Sequence, residues 1–507
     1  MTAAVRSAGR CTLAGALAIV AAAHVGSPNV FYVGKAGAYD VTVIVRPPQV
    51  VPGLAEITVR IPDSQAHDVT RVVVRPVFWA TGRRGSPAGD EAVRVAAPEP
   101  TYTGKLWFMQ GGSYSVDVDI EGRRGHGTVT VPVAAVATGQ LALSGVLKAI
   151  LVVLGFLLFF GLLTIIRSAA GESLVSPGDQ ASANRARQAR LATAIAFPVL
   201  LLAVFGGWTW WTGEAAAYRR TLYRPLGVVA TVTERAGAPV FHLEITDSSW
   251  LVGRITRIIP DHGKMMHLFL IDDSAQAAFA HLHPAMVDSN SFETALPPLP
   301  AGRYRVYGDV VHESGFERTL VSTVDVPAAP ASRAPTDSDD ALALGAQPTA
   351  LGGVADIGDG LRLTSALDAA TLRAGQAVEL SFQLVDAAGQ PQPIDPYLGM
   401  PAHAVVNRRD GWVFIHLHPM GTVSTTAQQA FALRDRGDTI AGGRLDPVKV
   451  GALGTAMTMG APDGRVRFVY EFPKSGAYRI WVQVKHGGKI QTGVFDAEVS
   501  SVVPSDR

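Results

Sequence analysis

Apolar and polar residues alternate with a period of two along most of the chain. Segments such as YDVTVIV, AEITVRI, TRVVVRPVF, GTVTVPV, FHLEITD, RYRVYGDVV, AVELSFQLVD and YRIWVQVK are short, rich in β-branched and aromatic residues, and broken by Gly, Pro and Asp turns. Successive side chains in such strands point to opposite faces, leaving one apolar face to bury. The repetition predicts a mainly β chain built of immunoglobulin-like β-sandwich modules of about 100 residues, rather than an α/β enzyme. No amphipathic helix stands out beyond the two continuous apolar runs described next.

Those runs, Val146 to Ile166 and Leu191 to Trp211, are each about 21 residues, enough for a helix to cross ~30 Å of hydrocarbon. The loop between them, 167–190, carries Arg167, Arg185, Arg187 and Arg190 near the span ends, which makes it cytoplasmic by the positive-inside rule. Trp208, Trp210 and Trp211 then anchor the outer interface. At the N-terminus, Arg6 and Arg10 precede the apolar LAGALAIVAAA, so residues 1–23 read as a signal peptide whose cleavage leaves His24 first. The expected order is sandwich 24–144, span 146–166, loop 167–190, span 191–211, sandwich 220–326, Pro/Ala-rich linker 327–348 and sandwich 349–500. This arrangement fits an inner (plasma) membrane protein with its large domains on the extracytoplasmic side, and a mean hydropathy of +0.21 agrees with it.

Self-comparison relates the modules. PDHGKMMH (260–267) aligns without gaps on PYLGMPAH (396–403). FAHLHPAM (279–286) returns as FIHLHPMG (414–421), and GRYRVYGDVVHESG (302–315) aligns on GAYRIWVQVKHGGK (476–489). GSYSVDVDIEGRRG (112–125) is a fainter third copy with Gly122 where the second module has His312, and the first module has no HLHP. The fold thus repeats three times and the histidines only twice, which argues for a role apart from folding.

In a strand, the H-x-H pairs set two imidazoles on one face. The candidate ligands are His267, His281, His283 and His312 in one module, and His403, His416, His418 and His486 in the other. The nitrogens of the first histidine and the H-x-H pair should converge in each. Imidazole suits copper, zinc and nickel. Seven of the nine methionines lie in these two modules, with Met265, Met266, Met400 and Met420 nearest the histidines, and thioether beside imidazole favours copper over zinc. The only cysteine, Cys11, falls within the signal peptide. His242 and His262 have no counterpart in the other module and read as surface or packing residues. His24, with His67 or His126, offers a separate copper-chelating arrangement. Asp309, His312 and Glu313 resemble hydrolase ligands, but Gln483 and Gly487 replace the two acids in the third module, so an enzyme is not expected. A net charge of +1 with 17% charged residues gives no nucleic-acid surface.

The closing Gly-x-Tyr-x-apolar hairpins (GSYSV, GRYRV, GAYRI) and the strand pattern resemble the YtkA-like and FixH-like β-sandwich domains of bacterial membrane and exported proteins. Compartment and His/Met usage are similar to those of periplasmic copper-handling proteins of the CopC type. The resemblance implies non-enzymatic binding or assembly work at a membrane. The expected function is copper binding or delivery, with a metal-accepting protein or another membrane protein as partner. The competing reading is a scaffold or assembly factor whose histidines are structural.

Overall fold

The computed structural model describes residues 24–25, 29–97, 99–176, 178–251, 256–328, 337–345, 347–367, 369–440, 444–450 and 459–501. The expected signal peptide, the linker residues 329–336 and Met457 lie outside the described residues. The two apolar runs are helices, Gly145–Glu172 and Ala183–Thr221, and both are long and apolar enough to cross a membrane. Each is capped by a serine: Ser144 Oγ accepts from the Leu147 N–H and Ser182 Oγ from the Arg185 N–H. Phe156, Leu157, Leu202 and Phe205 are exposed along them, as side chains meant for lipid would be and core side chains would not.

The rest of the described chain is mainly β and forms three pairs of sheets. In the first module a five-stranded sheet packs on a four-stranded one around Val43, Val59, Val116, Val118 and Val131. In the second and third modules a four-stranded sheet packs on a six-stranded one, around Leu243, Leu268, Leu270 and Val306 in the second and Leu380, Phe382, Val406 and Ile480 in the third. In all three modules the closing hairpin begins with an 11-residue strand, Gly112–Gly122, Gly302–His312 or Gly476–His486. The opening glycines have φ of +142°, +153° and +127°, a conformation that disfavours any side chain. Two residues on, Tyr304 and Tyr478 donate to the carbonyls of Pro300 and Lys474, which pins the strand entry.

The six-stranded sheets of the second and third modules are buried on both faces. In the strand His267–Asp272, Leu268 and Leu270 face their own module's core, while Phe269 and Ile271 face the other module. Phe269, Ile271, Phe279 and Tyr307 meet Val405, Phe414, Trp481 and Val494 in a second apolar layer between the modules. Phe279 stacks on Trp481 at 4.9 Å and Tyr307 on Phe414 at 4.0 Å. The two modules are therefore joined as a four-layer stack rather than strung as independent domains.

Two expectations need correction. The segment read as a linker is partly structural: Ala341–Leu344 is a strand paired with Ala278–Leu282, and Asp337 and Asp340 bond to Lys264 and His283. A helix also exists outside the spans, Thr425–Arg436, between an N-cap at Ser424 and a left-handed Gly437. Its buried face is mostly Thr and Ala, which gives a weak apolar stripe.

Candidate metal centre

The histidines occupy the face through which the two modules meet. His267 shares a face with Phe269, and His281 with Phe279. In the third module His403 lies with Val405, and His416 with Phe414. Strand register sets Phe269 opposite His281 and Val405 opposite His416. Just before the first histidine of each module, the chain makes a tight turn, Asp261 to Lys264 or Tyr397 to Met400. φ is positive at His262 (50°) and Gly263 (79°), and at Leu398 (52°) and Gly399 (78°), a pattern that requires glycine at the second position or tolerates few alternatives. This turn aims a carbonyl at the histidine: His267 Nε2 donates to Asp261 O at 3.3 Å, and His403 Nε2 to Tyr397 O at 3.1 Å.

A carbonyl can only accept, so Nδ1 of His267 and of His403 is the bare nitrogen. His283 Nδ1 donates to Asp340 Oδ1 at 3.0 Å, leaving Nε2 bare. His281 Nδ1 donates to Gln483 Oε1 at 2.8 Å, and lies 3.2 Å from a Tyr397 hydroxyl whose proton is committed to Asp339 O. Its Nε2 is therefore bare too. The result is a pair of lone pairs facing each other: His267 Nδ1 and His281 Nε2 are 3.1 Å apart. The third module repeats the spacing, with His403 Nδ1 3.1 Å from His416 Nε2, while His416 Nδ1 lies 3.6 Å from Asp309 Oδ2, beyond hydrogen-bond distance. With metal–nitrogen bonds of ~2.05 Å, a 3.1 Å separation corresponds to an N–metal–N angle of about 100°.

His267, His281 and His283 offer nitrogens within 4.8 Å of one another, as do His403, His416 and His418. All six are buried. Among the described residues, His283 Nε2 and both ring nitrogens of His418 have no hydrogen-bond partner. Burial first, and neighbouring imidazoles second, push His281, His403 and His416 well below the usual imidazole range, so they are neutral and ready to donate. Asp261 is held down to about 2: burial opposes its charge, but His262, His267, His418 and a hydrogen bond from Ser424 outweigh it.

Other expected residues sit elsewhere. His312 is buried but separate from both triads, with Nδ1 bonded to Thr256 O at 2.6 Å and its ring against Trp250. His486 bonds to Pro393 O at the far end of its strand. Neither joins the histidine groups, because each ends an 11-residue strand several residues beyond the Asp309 and Gln483 positions. Met266 lies in the second module's core with Met265 against it, Met420 packs on the first module's core, and Met400 is buried. His24 pairs through its backbone with Val413. His242 bonds to Glu293, as a packing role implies. His262, in contrast, enters the cluster, its ring 5.3 Å from His418, and groups with Asp261 and His418. Sequence reasoning missed His262, Asp340, Gln483 and Tyr397. Only Gln483 left a trace, as the counterpart of Asp309 in the aligned hairpins.

A family model described as "Domain of unknown function (DUF8832)" matches residues 233–328 and 355–501, which are the two histidine modules. No curated protein matches. Solved structures with partial likeness include a tetra-tandem repeat in the extending region of a large adhesion protein (11% identity, 89% of this chain and 71% of that chain, TM-score 0.15). Others are the FN1–FN3 domains of chicken CNTN1 (7%, 90% and 97%, 0.15) and a putative membrane anchored protein from Corynebacterium diphtheriae (10%, 94% and 97%, 0.16). Scores this low carry no argument about fold or function.

Proposed function

We propose that this is a membrane-anchored protein that binds a transition metal through histidine triads outside the cytoplasm, with copper ahead of zinc, for storage or delivery rather than catalysis. The observation that carries the reading is the pair of imidazole nitrogens 3.1 Å apart, present in both modules, which in the second are two facing lone pairs. Two lone pairs at that distance repel unless a cation lies between them. The outward nitrogens of His267, His281, His283 and His403 are each fixed by a carbonyl, amide or carboxylate, as metal-ligating histidines usually are. Thioether ligation is not part of the argument, since Met265 and Met266 serve the second module's core and Met420 packs on the first. Copper preference then rests on the affinity order of imidazole sites, in which Cu(II) exceeds Zn(II). The arginine-rich loop between the helices supports an extracytoplasmic position at the inner membrane. A metal-accepting protein is the natural partner for a delivery role.

The test is metal analysis of the full chain purified in detergent, equilibrated with Cu(II) or Zn(II) at pH 7.5 and desalted. Copper should be retained by the native protein, and retention through the third module should disappear when His416 and His418 are both replaced by Ala. A protein that retains no metal, or a double variant that retains as much as the native chain, contradicts the proposal.

A further inference from the structure

The two triads are too close, and too dependent on each other's modules, to act as separate sites. His267 of the second module has its ring centroid 5.3 Å from that of His416 of the third, and His281 lies 5.6 Å from His416. These cross-module spacings match those within a triad, such as His267 to His283 at 5.2 Å. The outer supports are exchanged as well. Gln483, on the third module's closing hairpin, receives the Nδ1–H of His281 in the second module. Asp309, on the second module's closing hairpin, faces Nδ1 of His416 in the third. Gln483 and Asp309 are counterparts in the aligned hairpins, and they sit opposite His403 and His267 respectively in their own sheets. Each module thus supplies three ligands for its own ion and the orienting group for the other's. The modules also differ: His262 of the second module leans toward His418, where the third module has Leu398, and His283 is bonded to Asp340 while neither ring nitrogen of His418 has a partner.

Resting on the metal reading above, we infer that the two triads form one dinuclear centre. It holds two imidazole-seeking ions across the module interface, and each module tunes the other's ion through Gln483 and Asp309. Ligand and support being in different modules, filling the centre also clamps the interface formed by Phe269, Phe279, Phe414 and Trp481.

The full chain in detergent is loaded with Cu(II) in air, and bound copper is counted by elemental analysis beside the electron paramagnetic resonance spectrum. The expected result is two coppers per chain, with a half-field line or a spin count below two that returns to two when acid releases the ions. Two coppers with the spectrum of isolated ions, or one copper per chain, overturns the dinuclear centre while leaving the metal reading intact; no copper overturns both. Gln483→Leu supplies the second arm, because Gln483 is a positioning residue and not a ligand. In a background with His416 and His418 replaced by Ala, it should weaken copper binding by the remaining second-module triad about tenfold or more. Unchanged affinity overturns the exchange of supports.

Discussion

At the residue scale, the centre is defined by which nitrogen of each imidazole carries its proton. The HLHP repeats were legible because a strand places alternate residues on one face, and the gapless alignment of PDHGKMMH with PYLGMPAH pointed to His267 and His403. What the sequence could not give was the partner of each outward nitrogen. Asp340 lies 57 residues from His283, and Gln483 is 202 from His281. His312 and His486 matched each other in alignment, yet pairing within a repeat reports the shared fold, and the strand carries both beyond the triads. His312 permits a clean pH test. Burial lowers its pKa from 6.5 to about 4, so between those values the unfolded chain binds more protons. Its contribution is fully present above pH 6.5 and is lost as pH falls toward 4. On denaturation by urea, the native chain should lose about 2 kcal/mol more stability between pH 7 and pH 5 than His312→Gln, at roughly 1.4 kcal/mol per pH unit. Parallel pH profiles for the two proteins would contradict this.

At the scale of elements, the segment after His418 explains what the first module, which has no histidine triad, does. Val33 N–H donates to Met420 O at 2.8 Å, Thr422 N–H to Phe31 O at 2.9 Å, and Phe31 N–H to Thr422 Oγ1 at 3.0 Å. Val423 completes the first module's core. Ser424 then caps the helix Thr425–Arg436 and donates to Asp261. On that helix, Phe431 meets Trp79 edge-on at 5.0 Å, so the first module grips the chain that follows His418 at two places, Met420 to Val423 and the helix. This helix was partly legible: Ser424 and Gly437 are ordinary start and stop signals, but its buried alanines give little periodic contrast. Gly421 is the sensitive point, with φ +109° and space for a Cβ only 2.1 Å from Phe31 O. Gly421→Ala should cost about 1–3 kcal/mol of stability and shift the His418 turn. Copper affinity of the third triad should fall at least tenfold, with the His267 triad less affected. Native affinity in that variant would show that the first module does not position His418.

At the scale of the whole molecule, the sequence indicated mainly β modules around two spanning helices, because strand alternation and long apolar runs are local signals. It did not indicate that the second and third modules join. His-Leu-Phe-Leu-Ile and Ala-Phe-Ala-His-Leu are apolar at nearly every position, the mark of strands covered on both faces, but what covers the second face is another module more than 100 residues away. The reading as a linker between independent domains failed for the same reason. Sidedness has its own test: a reporter active only in the cytoplasm should work when inserted near Gly178 and fail when fused after Arg507. The opposite pattern would remove the extracytoplasmic part of the account.

The central claim, that buried imidazoles and not thioethers bind a metal between the modules, is tested most directly by X-ray absorption spectroscopy of the copper-loaded full chain. The account predicts a first shell of nitrogen at about 2.0 Å with the outer-shell scattering of imidazole and no sulfur contribution. A sulfur shell near ~2.3 Å, or a nitrogen and oxygen shell without imidazole scattering, would contradict it.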